Sequence, residues 1–299
     1  MIVIQLAGGL GNQMFQYALY LQLKSLGKTV KIDDQAGFVQ DEQREAMLGL
    51  FGIDYERATP EELTKMLDSS PQLWHKVRRK LCGRKKKSYL EEDRRFQPKI
   101  LEWDDIYLDG YWQTEKYFAD VTGKVREAFD LDRLLAHMEQ IAGENPRAVI
   151  GRWYDKITAI ESVSVHIRRG DYLLPKNETL YGGICTESYY EKAMERMRQK
   201  YPGCRFYLFT NDKEWAKRWI ADLADAEIVD MECFGALRDY AEFALMGGCR
   251  HNILANSSFS WWASYLNKNP EKTVLAPEQW LNGWDCTDIY RDDMEKVHV

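Results

Sequence analysis

From Val163 onward, short apolar runs alternate with helix-length stretches, and this alternation constrains the fold more tightly than anything else in the chain. Strands are predicted near 163–167, 205–210, 226–229, 251–255 and 272–276, with helices near 187–200, 212–221, 237–247 and 259–268. A helix between successive strands carries the chain back across the sheet, so the strands must run parallel and be covered on both faces. The amino end begins the same way. Ile2 to Leu6 reads as a strand, a glycine-rich turn follows, and a helical pattern from Gln13 to Leu26 precedes a second strand at Thr29 to Asp33. The reading is an α/β protein with two Rossmann-like domains facing a cleft, residues 1–150 and 151–299, joined in the polar patch Gly143 to Pro146. Between them, 36–95 is poorly periodic and reads as an insertion or covering layer. Ile106 to Asp109 returns to the sheet, and Glu115 to Phe129 has the pattern of an amphipathic helix.

Composition narrows the function classes. A chain of 299 residues can bury a large core. Its net charge of −6 argues against general nucleic-acid binding. No apolar run approaches the roughly 20 residues of a membrane span, and the first six residues are too short for a signal-peptide core. The six cysteines are scattered without a CxxC pair, so neither a zinc site nor a disulfide framework is indicated. A cytoplasmic protein with free thiols is expected. One segment stands apart: Lys76 to Lys87 has eight basic residues among twelve. A solvated face is the bland account, and peripheral contact with an anionic inner-membrane face or a lipid-linked substrate is the functional one.

Three constellations carry chemistry. His166-Ile167-Arg168-Arg169-Gly170-Asp171 falls where a buried strand opens into a loop. Adjacent guanidiniums there suit a ligand with several negative charges, because each fork matches phosphate oxygens bidentately. Pairing of the arginines with Asp171 or Glu161 is the bland alternative. Asn256-Ser257-Ser258-Phe259-Ser260 follows another strand and opens a helix, whose free amides and hydroxyls favour an anion, although simple N-capping uses the same residues. Gly8-Gly9-Leu10-Gly11-Asn12-Gln13 invites the dinucleotide fingerprint with Asp33 as the ribose acid. Met14 stands where its third glycine belongs, so a nicotinamide site is disfavoured. What remains is a close backbone approach with Asn12 and Gln13 as neutral donors. Asp130-Leu131-Asp132 has metal-binding spacing but sits at a helix end, so no metal is expected.

Four stretches together resemble the bacterial α-1,2-fucosyltransferases, glycosyltransferase family 11. They are Gly8 to Tyr17, Gly110 to Phe118, His166 to Tyr172 and His251 to Trp262, with a weaker match at Phe209 to Trp215. The resemblance implies a GT-B-like fold, a GDP-β-L-fucose donor, inversion to an α-linked product, and neither cofactor nor obligatory metal. It implies that His166 and Asp239 contact the guanosine part, and that Arg168 and Arg169 face the diphosphate with Asn256, Ser257 and Ser258 nearby. It places Asn12 and Gln13 along the fucose and acceptor cleft. The expected reaction is fucosyl transfer to the 2-hydroxyl of an acceptor sugar, an oligosaccharide or glycolipid ending in galactose. Arg168 and Asp171 are the expected catalytic residues, Asp171 as brace or as base, with Glu178 also near enough to the arginine strand to serve as base. A non-catalytic nucleotide-sugar binder and a transferase using another GDP-sugar are the alternatives.

Overall fold

Residues 1–39, 44–70, 72–83, 85–141 and 144–298 are described by the computed structural model, in which the chain forms two units, Met1–Ala128 and Phe129–Val299. The first is built on β1 (Ile2–Gln5), α1 (Leu10–Ser25), β2 (Val30–Asp33), α2 (Pro60–Met66), α3 (Leu73–Cys82), β3 (Ser88–Leu90), β4 (Ile106–Asp109) and α4 (Thr122–Ala128). Its four strands are all parallel in the order β2-β1-β4-β3. α2 covers the sheet through Met66, which packs with Val3 and Tyr107. A Thr59 capping box and Pro60 at its first position start that helix. The 36–95 region is therefore part cover and part sheet, since β3 extends the sheet beside β4. The continuous helix expected over Glu115–Phe129 is corrected. A 3-10 turn, Glu115–Val121, breaks at Phe118 before α4 begins, because buried Phe118 packs against Phe15 of α1.

The second unit contains α5 (Leu131–Ile141), α6 (Glu144–Thr158), β5 (Ser162–Ile167), α7 (Pro175–Tyr181), α8 (Glu187–Lys200), β6 (Arg205–Thr210), α9 (Lys213–Trp219), β7 (Ala226–Ile228), α10 (Arg238–Gly248), β8 (His251–Ile253), α11 (Ser258–Leu266), β9 (Val274–Pro277) and β10 (Met294–Val297). Six parallel strands run in the order β10-β9-β8-β5-β6-β7. Every β5 residue is buried, as a central strand covered on both faces requires. Both units are thus α/β with parallel sheets, as the alternation predicts. The boundary lies earlier than residue 150 because α5 and α6 pack on α10 of the second unit. Of the junction expected at Gly143 to Pro146, residue 143 lies outside the described residues, and the backbone from Glu144 is helical.

Strand order fixes where a ligand can sit. In the second sheet the chain runs outward from β5 through β6 to β7, then returns to β8 on β5's other side and continues to β9 and β10. The loops after β5 and β8 therefore leave in opposite directions and part the carboxyl edge between them. That is the switch point at which open α/β sheets hold ligands. In the first sheet the chain runs from β1 outward to β2 and returns through edge strand β3 to β4 on β1's other side.

Candidate functional site

The arginine pair lies on the loop after β5, and the serine cluster on the loop after β8, so the two motifs flank the switch point of the second sheet. Tyr172 links them. Its hydroxyl donates to the Asn256 carbonyl at 3.1 Å, its ring stacks on Tyr181 at 4.1 Å, and the Arg168 guanidinium lies 5.7 Å from its centroid. Two tyrosines of α8 secure the strand ends below: Tyr190 donates to the His166 carbonyl at 3.0 Å, and Tyr189 to that of Leu254 at 2.6 Å. These bonds hold both loops to buried strands, which is what a preorganised charge site needs.

Arg169 is held on three sides. Its backbone N–H donates to Asn211 Oδ1 at 2.9 Å, its Nε to Asp212 at 3.2 Å, and its guanidinium lies over Trp215 at 4.3 Å. Bonding through Nε fixes the plane of the fork while the Nη edge takes no hydrogen bond among the described residues. The Phe209 to Trp215 match thus carries the arginine's support. Pairing of an arginine with Glu161 does not occur at this loop. Glu161 sits at the other end of β5 and binds Arg250 at 3.1 Å and His251 at 2.6 Å. The side chain of Asp171 lies outside the described residues; its backbone is in a 3-10 turn, Gly170–Leu173.

His166 is the most unusual group here. Burial, reinforced by the Arg168 charge, drives its pKa down to about 3, so the ring is neutral at physiological pH. Its Nδ1 is sealed and has no hydrogen-bond partner among the described residues. A neutral ring with a sealed, partnerless Nδ1 is best served by keeping its proton on Nε2, which makes that nitrogen the donor. The ring packs on Phe259 of α11 at 5.6 Å.

The serine cluster divides by role. Ser257 caps α11 by accepting from the Phe259 N–H at 3.3 Å, and Ser260 is buried and bonded back to the Ala255 and Ser257 carbonyls. Asn256 is buried, and its amide donates to the Trp280 carbonyl at 3.1 Å, so its side chain braces the loop. Ser257 and Ser258 remain half-buried at the helix start. Asp239 is exposed in the first turn of α10. Beside it, Arg238 bonds Glu242 at 2.8 Å and the Thr210 carbonyl at 3.3 Å, tying α10 to the end of β6. Glu178 is exposed in the first turn of α7.

In the first unit, Asn12 and Gln13 separate. Asn12 Oδ1 accepts from Gln113 at 2.8 Å, joining the first turn of α1 to the loop after β4. Gln13 is 0% exposed, donates to the Gly8 and Glu45 carbonyls at 2.9 and 2.8 Å, and accepts from the Met47 N–H at 2.8 Å. Its amide is spent on the loop, which corrects the expectation of a cleft-lining donor. Glu91, which sequence reasoning missed, accepts from the N–H groups of Tyr111 at 2.8 Å and Trp112 at 3.2 Å and from Arg94 at 2.6 Å. Burial pushes its carboxyl upward, against those favourable partners. It supports Trp112, whose φ of +55° is strained for a bulky residue. Asp33 accepts from Gln35, Ala36 and Tyr107, so its oxygens serve the fold. Asp130 caps α5 by accepting from the Arg133 N–H at 2.9 Å, and Lys268 neutralises both Asp130 and Asp132 at 2.9 and 2.6 Å. No helix among the described residues is long and apolar enough to cross a membrane.

Fold and site together define an α/β protein whose second parallel sheet sets two adjacent arginines and a serine-capped helix start at its switch point. The chain belongs to glycosyl transferase family 11, whose model matches residues 92–293. It is similar to the alpha-1,2-colitosyltransferase of Escherichia coli, 27% identical over 300 residues that span 95% of each chain. The O-antigen biosynthesis glycosyltransferase WbnK of Escherichia coli is 27% identical over 304 residues, covering 93% of this chain and 94% of the relative. The galactoside alpha-(1,2)-fucosyltransferase 1 of Homo sapiens is 26% identical over 87% of this chain and 63% of its own. Among solved structures, fucosyltransferase NodZ from Bradyrhizobium aligns over 89% of this chain and 91% of its own, with 16% identity and a TM-score of 0.47.

Proposed function

We propose that the protein transfers L-fucose from GDP-β-L-fucose, with inversion, to the 2-hydroxyl of an acceptor sugar ending in galactose. The observation that carries this reading is the arginine pair at the β5–β8 switch point of a family 11 chain. Breaking the anomeric bond leaves an oxocarbenium-like sugar and added negative charge on GDP. Arg168 at the β-phosphate stabilises that charge more in the transition state than in the ground state. Arg169, held in place by Asp212 and Trp215, anchors the diphosphate, and the α11 amides with Ser257 and Ser258 complete the anion site. His166 offers Nε2–H to the guanosine part, with Asp239 accepting from it. These groups supply the charge stabilisation that a divalent cation supplies elsewhere, so the reading assigns no metal and no cofactor. Asp171 is assigned an essential role, as brace for the guanidiniums or as base toward the acceptor hydroxyl.

A second reading follows from the similarity to an alpha-1,2-colitosyltransferase: the same chemistry with a different GDP-sugar. Colitose is fucose without its 3-hydroxyl. A site that hydrogen-bonds that hydroxyl rejects the analogue by roughly 10⁴-fold, whereas one that does not is tolerant. The test is to incubate the protein with lactose and, separately, GDP-fucose, GDP-colitose and other GDP-hexoses, measuring released GDP and linked product. α-1,2-Fucosylated product formed best with GDP-fucose is the expected result. Turnover only with another donor moves the donor assignment, and GDP-sugar binding without turnover identifies a binding protein.

A further inference from the structure

The helix α3 leaves its apolar face in solvent. Its described residues are exposed except Arg78, which is half-buried against Asp68. Isolated helices of about ten residues are marginal in water, and amphipathic ones are stabilised by burying their apolar face. Here that face is bare. Trp74 is 83% exposed, Leu81 79%, Leu73 73% and Val77 42%. At roughly 100° per residue these four fall within one arc of about a quarter turn. Lys76 and Lys80 border the arc on one side, and the exposed Lys85, Lys86 and Lys87 follow directly in the chain.

Charge decides what covers such a face. The whole chain is −6 while Lys76 to Lys87 is +8 with no acid, which leaves −14 on the remainder. A second copy of the chain would bring a like-charged lysine run to the same patch. An anionic surface is attracted by this segment and repelled by the rest, so it also selects one orientation. A protein groove would bury the aromatic and aliphatic residues but has no need of a lysine fringe. An anionic bilayer needs both parts: apolar side chains entering the headgroup–acyl boundary, with long lysine stems reaching back to the lipid phosphates. Trp at the edge of the arc suits that boundary as well.

We propose that α3 and the lysines after it form a peripheral docking surface for anionic phospholipid bilayers. The helix lies in the plane of the interface on Leu73, Trp74, Val77 and Leu81. The inference stands independently of the donor reading, because none of these residues has a part in the site described above. Its consequence is positional, since a docked enzyme meets lipid-linked acceptors at the membrane surface.

Co-sedimentation of the full chain with vesicles tests it, comparing phosphatidylcholine alone with a 7:3 mixture of phosphatidylcholine and phosphatidylglycerol. The protein is expected to bind the mixture, to release in high salt, and to ignore pure phosphatidylcholine. Trp74→Ser with Leu81→Ser, and separately Lys80→Glu with Lys85→Glu, should each weaken partition about tenfold or more. Both lie on the exposed surface, so melting temperature and turnover on a soluble acceptor should match the parent. Failure of the parent to bind the anionic vesicles, or equal binding by both variants, overturns the proposal. So does a concentration-dependent dimer that the Trp74→Ser, Leu81→Ser variant abolishes, which would make a second copy the occupant.

Discussion

Replacing His166 by leucine should make the protein more stable and a worse nucleotide binder. The side chain is buried near the carboxyl end of β5, with Nδ1 sealed and lacking a partner among the described residues. An unsatisfied buried polar atom costs about 1–3 kcal/mol. Leucine has similar volume and no polar atom, and it forgoes only the ring contact with Phe259, worth about 0.5–1 kcal/mol. A net gain of about 1 kcal/mol at pH 7.5 follows. The sign with pH is also fixed. The folded pKa, about 3, lies below the unfolded value of 6.5, so the unfolded chain binds the proton first. Stability carried by the neutral ring is complete above 6.5 and is lost as pH falls toward 3, at about 1.4 kcal/mol per unit. By pH 5 the wild type should therefore have lost a further ~2 kcal/mol that the leucine variant keeps. Other titrating groups, His251 among them, cancel in the difference. The assay is a pair of thermal melts at pH 7.5 and 5.0, with GDP affinity measured at pH 7.5. Each kcal/mol corresponds to about 2–4 °C for a unit of this size, and loss of the guanosine contact should weaken GDP about tenfold. A variant less stable at both pH values, with a constant gap and unchanged GDP affinity, would show that His166 is neither an unsatisfied buried ring nor a guanosine contact.

Gln13→Ala should destabilise by about 2–3 kcal/mol, because it strands the Met47 N–H and two loop carbonyls; a denaturant midpoint at the wild-type value would contradict this. Turnover should survive EDTA, and Asp132→Asn should leave it within about twofold, since that carboxylate is occupied by Lys268 at an exposed helix end. EDTA inactivation reversed by Mn²⁺ would reject the metal-free reading.

The parts of this molecule that were legible in its sequence are those where one physical demand dominates. β5 and β6 are buried on both faces, so they show as apolar runs, and their predicted spans are within a residue of those found. β10, by contrast, is an edge strand with Glu295 and Lys296 exposed, and β3 is a three-residue edge strand, so neither carries an apolar run to read. α5 and α6 are hard to read because the polar patch between them resembles a linker, although the two helices pack on α10. At the site, the sequence named the charged and capping residues but not their supports. Tyr172, Trp215 and Glu91 act through contacts to loops distant in sequence, and only the folded chain brings those loops together. Gln13 shows the converse, since a polar residue in a glycine-rich turn reads as a ligand donor until its hydrogen bonds are found to be spent on the loop.

If Arg168 stabilises a departing GDP, turnover of GDP-fucose by the Arg168→Ala and Arg168→Lys enzymes must fall. Loss of one preorganised charged donor should cost roughly 3 kcal/mol, a hundredfold or more in kcat. Lysine should not restore it, because a single ammonium cannot reproduce the guanidinium fork. Both variants should melt with the wild type and form α-1,2-linked product at no more than about a hundredth of its rate. A folded Arg168→Ala enzyme turning over GDP-fucose at the wild-type rate would contradict the account.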